Sequence, residues 1–269
     1  VGGSSNIGSH LIRYLSRKKI NLIATYNSTK PKENKNIIWK KLNIKNKNKN
    51  FYKFLDCPDL VINLAWADIP NYKLKNHFKT FKYQKNFNYN IVNNGLKNLI
   101  VLGTCYEYGK KNGRINENQK EKPIIPYGMA KLKLLNSLKV LKKKKKFKFT
   151  WLRPFFVYGK NEKRNTLYTL IKNINKSEIK KISVCGSLIR DFVSIDFLCK
   201  TICKIIVLDK NFGVLNVSSG KGISIKKFVI DNLDNVKFLK KFDMNGSNPN
   251  TFEPNSFWGC NKKLKKNVY

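Results

Sequence analysis

The chain predicts an α/β protein built on a doubly wound parallel sheet, and three observations carry that prediction. A glycine-rich turn, GGSSNIG at residues 2–8, stands directly ahead of an amphipathic stretch. Short apolar runs then alternate with segments of helical period over residues 9–160. Past that point the pattern loosens into shorter units, with no internal repeat, which predicts a smaller second lobe. With 269 residues the chain is long enough to bury cores of that size.

Taken in order, residues 9–19 (SHLIRYLSRKK) place Leu11, Ile12 and Leu15 at helical spacing. INLIATY (20–26), DLVINLAW (59–66) and LIVLGT (99–104) read as buried strands, and FKFTWLRPFFVYG (147–159) as one more. Residues 28–50 are polar and rich in Lys and Asn apart from IIW, and residues 71–98 read as one long helix. Residues 127–141 carry Leu132, Leu134, Leu135, Leu138 and Leu141, the broad apolar face of another helix. The run Lys142–Lys146 extends its C-terminal end, where cations suit the helix dipole. Beyond lie a helix near 165–176, a turn at 186–188, a helix near 196–207 and the strand GVLNVSS. The expected division is 1–155 for a first domain and 156–269 for a lobe partly interleaved with it.

Composition excludes several classes. With 41% hydrophobic and 26% charged residues the chain is neither an extended disordered segment nor a fibre. No run of 18 apolar residues is present, so no membrane partner is expected. The six cysteines (57, 105, 185, 199, 203, 260) lack metal-ligand or paired spacing and read as reduced thiols of a cytoplasmic protein, with no metal site. His10 and His77 show no partner spacing and receive no catalytic role.

The formal net charge is +39, from 49 Lys and only 6 Arg beside the acidic residues, and Asn numbers 36. Nucleic-acid sites favour Arg forks, stacked aromatics and clustered basic patches. Here Lys is spread along the whole chain, which reads as compositional drift laid over an ordinary fold. A scattered positive field still attracts an anionic substrate. The rival from another class is a catalytically idle relative that binds nucleic acid by charge, with steep salt dependence.

Two motifs carry chemistry. Gly2 and Gly8 hold the outer positions of GxxGxxG, with Ser5 at the middle one. In a strand–turn–helix unit such glycines let backbone approach a pyrophosphate, and the helix start supplies amide donors; an ordinary turn is the alternative. YxxxK occurs five times, at Tyr14/Lys18, Tyr26/Lys30, Tyr106/Lys110, Tyr127/Lys131 and Tyr168/Lys172. Chance alone gives about two, so the motif by itself says little. Only Tyr127/Lys131 follows a strand that ends in a hydroxyl residue, Thr104, and opens a helix directly after Pro126. There the four-residue spacing puts both side chains on one face. A Lys ammonium beside the phenol is expected to lower the Tyr127 pKa, and Thr104 to bond the same substrate oxygen. The plainer alternative is an amphipathic helix with a surface tyrosine.

GGSSNIG, DLVINLAW, LIVLGTCYEYG, PYGMAK, WLRPFFVYG, GSLIRDFVSIDF and LNVSSG, in that order and spacing, resemble the extended short-chain dehydrogenase/reductases. This is the NAD-dependent epimerase/dehydratase family that modifies nucleotide-activated sugars. The resemblance implies a Rossmann-type domain with NAD(P) at Gly2, Ser5, Asn6, Ile7, Gly8, Leu64 and Ala65, and a C-terminal lobe that grips a nucleoside-diphosphate sugar. It implies catalysis by Thr104, Tyr127 and Lys131, with Lys131 also on the nicotinamide ribose. It further implies a first strand ahead of Val1, and hence a gap or stub in mid-sheet. Pairing of two copies through the helices around 71–95 and 127–141, as a homodimer, is implied as well.

Departures from the family pattern narrow the expectation. The family's dehydratases carry an Asp-Glu pair directly after the Thr; here Cys105 and Tyr106 stand there and Glu107 is expected to face elsewhere. A 4-ketoreductase or an epimerase remains, acting on a nucleotide-linked deoxyhexose destined for surface polysaccharide. ATYNSTK (24–30) has no carboxylate after the second strand and has Asn27 and Lys30 there, which favours NADP over NAD. Asn43 stands where relatives often bind adenine through an Asp. Trp66, Thr104, Phe156 and Arg190 are the expected substrate contacts, with an ion pair from Arg190 to Asp191 or Asp196 as its structural alternative.

Overall fold

A computed structural model describes residues 1–32, 36–46, 49–160, 162, 166–174, 181–248 and 251–269. The first half runs α1 (Asn6–Leu15), β1 (Ile23–Tyr26), β2 (Ile38–Lys41), α2 (Phe51–Phe54), β3 (Leu60–Asn63), α3 (His77–Asn93), β4 (Asn98–Leu102), β5 (Gly113–Ile115), α4 (Pro126–Lys144) and β6 (Lys148–Pro154). The second continues with β7 (Phe156–Tyr158), α5 (Leu167–Asn173), β8 (Ile182–Ser183), β9 (Ile189–Arg190), β10 (Phe192–Ser194), α6 (Ile195–Leu208) and β11 (Gly213–Val217). After these come β12 (Ile223–Ser224), α7 (Ile225–Asn232), β13 (Phe242–Asp243), β14 (Ser256–Gly259) and α8 (Lys262–Val268).

The central sheet has the order β11-β6-β4-β3 and is parallel throughout. Side chains alternate between its faces, and each face is covered by helices. Ile100, Leu152 and Leu215 meet Leu11 and Leu15 of α1, Leu198 and Ile202 of α6, and Leu264 of α8. On the other side Leu99, Val101 and Trp151 meet Phe87 and Ile91 of α3 and Leu134, Leu135 and Leu138 of α4. The doubly wound α/β class read from the sequence is therefore the observed one. A third cluster, with Ile171, Phe228, Val229 and Phe242, lies under the elements of the second half.

β1 and β2 form a separate parallel pair, so the sheet is interrupted between β1 and β3. Val1 lies in that interval: its amino group donates to the Ile62 carbonyl at 2.7 Å, and Leu64 N donates to its carbonyl at 3.0 Å. A cavity of about 730 Å³ runs along the interval, lined by Leu11, Ile12, Ala24, Leu60 and Ile62 among others.

Three elements differ from the sequence reading. The expected 71–98 helix begins only at His77, because tertiary bonds hold the preceding turn out of it: Tyr127 N donates to the Tyr72 carbonyl, and a His77 ring nitrogen bonds the Asn71 carbonyl. The single strand over 147–159 divides at Phe155, where the chain changes partners from β11 to β10. IIW, the apolar exception in the polar 28–50 stretch and assigned no element from the sequence, supplies Ile38 and Trp39 to the start of β2. Of the helix near 165–176, residues 165, 175 and 176 lie outside the described residues, and α5 accounts for the rest. Among the described residues no helix is long and apolar enough to cross a membrane.

Candidate active site

The glycine turn is shaped mainly by close backbone approaches. A Cβ on Gly8 would stand 2.2 Å from the Gly2 carbonyl oxygen, and Gly2 has φ +84° with its Cα against the Ala65 backbone. No other residue type lets these chains approach so closely. Ser5 closes the turn by donating to the Gly2 carbonyl at 2.7 Å and accepting from Gly8 N at 3.1 Å, which caps α1. Asn6 Oδ1 is buried without a hydrogen-bond partner. Gly2 N donates to Thr25 Oγ1, tying the turn to β1.

From Ala65 a chain of contacts leads to the helix α4. Trp66 follows Ala65, and its ring lies 4.0 Å from Lys131 Nζ and 6.0 Å, centroid to centroid, from Tyr127. Pro126 starts α4, so Tyr127 and Lys131 occupy its first turns with their side chains buried. Gly128 lets that turn pack against residues 104–108, since a Cβ there would sit 2.7 Å from the Tyr106 carbonyl oxygen. The Thr104 side chain acts on the Tyr127 phenol in favour of the phenolate. Burial outweighs that effect and holds the phenol well above its ordinary pKa.

The expectation that Lys131 lowers the Tyr127 pKa is not met. Lys131 Nζ donates to the Leu102 carbonyl at 2.6 Å and lies 5.9 Å from the Tyr127 ring centre. Burial lowers the Lys131 pKa to about 7, so the ammonium itself is weakened in this dry site.

Glu107 faces away from the cleft, into the core, and is no spectator there. Its carboxylate accepts from Thr104 N at 2.9 Å and Trp151 Nε1 at 3.0 Å, and it pairs with Arg153 Nε at 2.7 Å. Arg153 also pairs with Glu121 at 2.6 Å and lies over the Tyr108 ring. Thr104 is thus held from below by a fully buried ion pair. Sequence reading passed over this role because the partners stand 44 to 46 positions away.

Toward the elements of the second half the wall is aromatic. Tyr72 packs on Tyr106 and Tyr127, and Tyr106 on Phe156 and Phe252. Tyr106 donates its hydroxyl to Glu253 at 2.5 Å, and Glu253 pairs with Arg190 at 2.8 Å. The ion-pair partner of Arg190 is therefore neither Asp191 nor Asp196. Asp191 instead accepts backbone N–H groups of Ser219, Gly220 and Gly259, and Asp196 accepts from the Tyr14 hydroxyl. Arg190 is buried, and its Nη1 is engaged by the Ile189 carbonyl as well.

The structure thus links Gly2, Ser5, Asn6, Ile7, Gly8, Leu64, Ala65, Trp66, Thr104, Tyr127, Lys131, Phe156 and Arg190 through consecutive elements and contacts. Asn27 and Lys30 lie exposed in the loop after β1. Asn43 is exposed too, and its side-chain oxygen accepts Lys45 N in a local turn. Among the described residues no group of three or more His, Cys, Asp or Glu could hold a metal.

The chain is similar to proteins that act on nucleotide-activated sugars. A dTDP-6-deoxy-L-talose 4-dehydrogenase (NAD(+)) of Aggregatibacter actinomycetemcomitans is 26% identical over 207 residues, 75% of each chain. The fold matches that of UDP-glucuronic acid 4-epimerase from Bacillus cereus, solved with UDP-glucuronic acid and NAD (TM-score 0.79, 21% identity, 99% of this chain and 91% of that one). It also matches TunA, an NAD-dependent NDP-hexosamine 5,6-dehydratase (TM-score 0.83, 19% identity, 99% and 89%). The model of the NAD dependent epimerase/dehydratase family matches residues 1–218, from the glycine turn through β11, and this chain belongs to that family.

Proposed function

We propose that the protein is a 4-ketoreductase, exchanging hydride between a nicotinamide dinucleotide and C4 of a nucleoside-diphosphate 6-deoxyhexose. The observation that carries this reading is the meeting of Thr104 with a buried, protonated Tyr127 beside Lys131, with Cys105 and Tyr106 in place of a carboxylate pair. The name of the A. actinomycetemcomitans relative supports both the 6-deoxy sugar and the position of hydride transfer.

The dinucleotide fits the turn: a Cβ at position 8 would collide with the Gly2 carbonyl, and the buried Asn6 Oδ1 is an acceptor open to a hydroxyl or amino group of the dinucleotide. Gly2, Ser5, Asn6, Ile7, Gly8, Leu64, Ala65 and Lys131 would hold it, and its nicotinamide would supply the hydride. Asn27 and Lys30 after β1 favour NADP(H). Burial keeps the Tyr127 phenol protonated, so it enters as the acid and gives its proton to the sugar oxygen. The Thr104 hydroxyl and the Lys131 ammonium then face the phenolate that remains. Trp66, Thr104 and Phe156 would wall the sugar, and Arg190 would reach the diphosphate by exchanging Glu253 for it. The outer faces of α3 and α4, which pack side by side, would pair two copies into a homodimer. The free thiols suit a cytoplasmic setting.

An epimerase is the second reading, favoured by relatives so named. The test follows NADPH and NADH oxidation with a panel of nucleoside-diphospho-4-keto-6-deoxyhexoses. Turnover is expected with NADPH, falling roughly 10²–10⁴-fold in Tyr127→Phe. Epimer formed without net oxidation moves the answer to the second reading, and absence of dinucleotide binding overturns both.

A further inference from the structure

α3 carries a buried titratable group that the reaction above does not use. Trp66 Nε1 lies 3.1 Å from His77 Nδ1, and an indole N–H can only donate, so Nδ1 is unprotonated. His77 Nε2 lies 3.0 Å from the Asn71 carbonyl, which can only accept, so Nε2 carries the proton. The imidazole is thereby neutral and held in one tautomer with both nitrogens engaged. Its ring packs 5.2 Å from that of Tyr127. The indole it orients lies against Lys131, with Nζ 4.0 Å from the ring centre, within cation–π range. From the same helix Gln84 donates to the Ala65 carbonyl at 2.7 Å and accepts from Asn63, so α3 pins residues 63–66 at both ends.

We propose that His77 is a positioning residue: by accepting the Trp66 indole N–H it fixes that ring against Lys131 and keeps the ammonium charged and aimed beside Tyr127. This rests on the roles given above to Tyr127 and Lys131. The charged and titratable groups around the pair are Asp68 and Lys131 facing His77, and Glu107 and Tyr127 facing Lys131. Burial and the Lys131 charge lower the His77 pKa, while Asp68 opposes them. A second proton on the ring would turn Nδ1 into a donor and release the indole.

The test compares His77→Leu, His77→Gln, Trp66→Leu and the His77→Leu/Trp66→Leu double variant. Each is checked for folding by thermal melt, then followed by NADPH and NADH fluorescence titration against pH and, in the variants that keep Trp66, by exchange of its indole N–H in NMR. His77→Leu should expose that N–H to exchange, weaken dinucleotide binding roughly threefold to thirtyfold and move the alkaline limb of binding to lower pH. Glutamine, which offers a carbonyl to the indole, should restore most of the loss. Trp66→Leu should reproduce it, and the double variant should be no worse than Trp66→Leu alone. Retained N–H protection in His77→Leu, additive losses, or equal defects in the Leu and Gln variants at every pH would overturn the role. Should His77→Leu not fold, Trp66→Leu decides by the alkaline limb, and the Gln variant by that limb and by the indole exchange. A wild type that binds neither dinucleotide overturns the proposed function and this role together; binding that His77→Leu leaves unchanged overturns this role alone.

Discussion

At the glycine turn the site is made of backbone, whereas around Tyr127 it is made of side chains. Gly2, Gly8 and Ser5 fall within seven consecutive residues, and their contacts are carbonyls, amides and the hydroxyls of Ser5 and Thr25. The Tyr127 end draws on Trp66, His77, Thr104, Glu107, Lys131 and Arg153, spread over 88 residues of chain and brought together by β3, β4, α3, α4 and β6. The difference teaches how each end fails. A backbone-built turn has no slack for an added atom, while a side-chain-built site depends on every buried charge keeping its partner.

The comparison is broken most strongly at the side-chain end. Replacing Arg153 by Met leaves Glu107 charged, buried and unpaired beneath Thr104, and should cost about 3–5 kcal/mol in urea unfolding. A much smaller loss would mean that Trp151 and the Thr104 amide suffice to hold the carboxylate. At the backbone end, Gly8→Ala drives a methyl into the Gly2 carbonyl and should cost about 1–3 kcal/mol, together with dinucleotide binding. Retention of NADPH and NADH binding by that variant would show that the turn can yield.

A third variant sharpens the contrast through its sign. The Lys131 pKa of about 7 lies below its unfolded value of about 10.4, so between those limits the unfolded chain binds more protons. Burying this ammonium thus costs stability in full below about pH 7, and the cost fades as pH rises toward 10.4. Lys131→Met should lose turnover yet gain on the order of 1 kcal/mol at neutral pH, with the gain shrinking in alkali. Denaturation across pH 6–10 checks it, and a constant difference would show that the site does not titrate with Lys131.

How much could be read beforehand follows from the same contrast. The YxxxK pair at Tyr127 was separable from four chance matches because a strand ending in Thr104 precedes it and a proline starts its helix, all local marks. Glu107 and Glu253 were not readable. One caps a turn toward Trp151 and Arg153, and the other reaches Arg190 across 63 positions. The ordinary pairing guess for Arg190, a neighbouring Asp, failed because Asp191 is consumed by three backbone amides. The Lys131–Tyr127 coupling failed for a related reason: spacing puts both on one face, but only burial decides which protonation state each prefers.

The sequence by itself determined the alternation of strands and helices, the layered α/β architecture, the glycine turn and the pair opening α4. These depend on hydrophobic period and on residues a few positions apart, where chain geometry leaves little choice. The tertiary structure alone decided that His77 reads Trp66, that Trp151 and Arg153 hold Glu107, that Glu253 holds Arg190, and that α3 starts six residues past the expected point. Such pairings join groups distant along the chain, and a buried polar atom takes whichever partner the packed elements deliver, since leaving it unpaired costs more than any local preference offers.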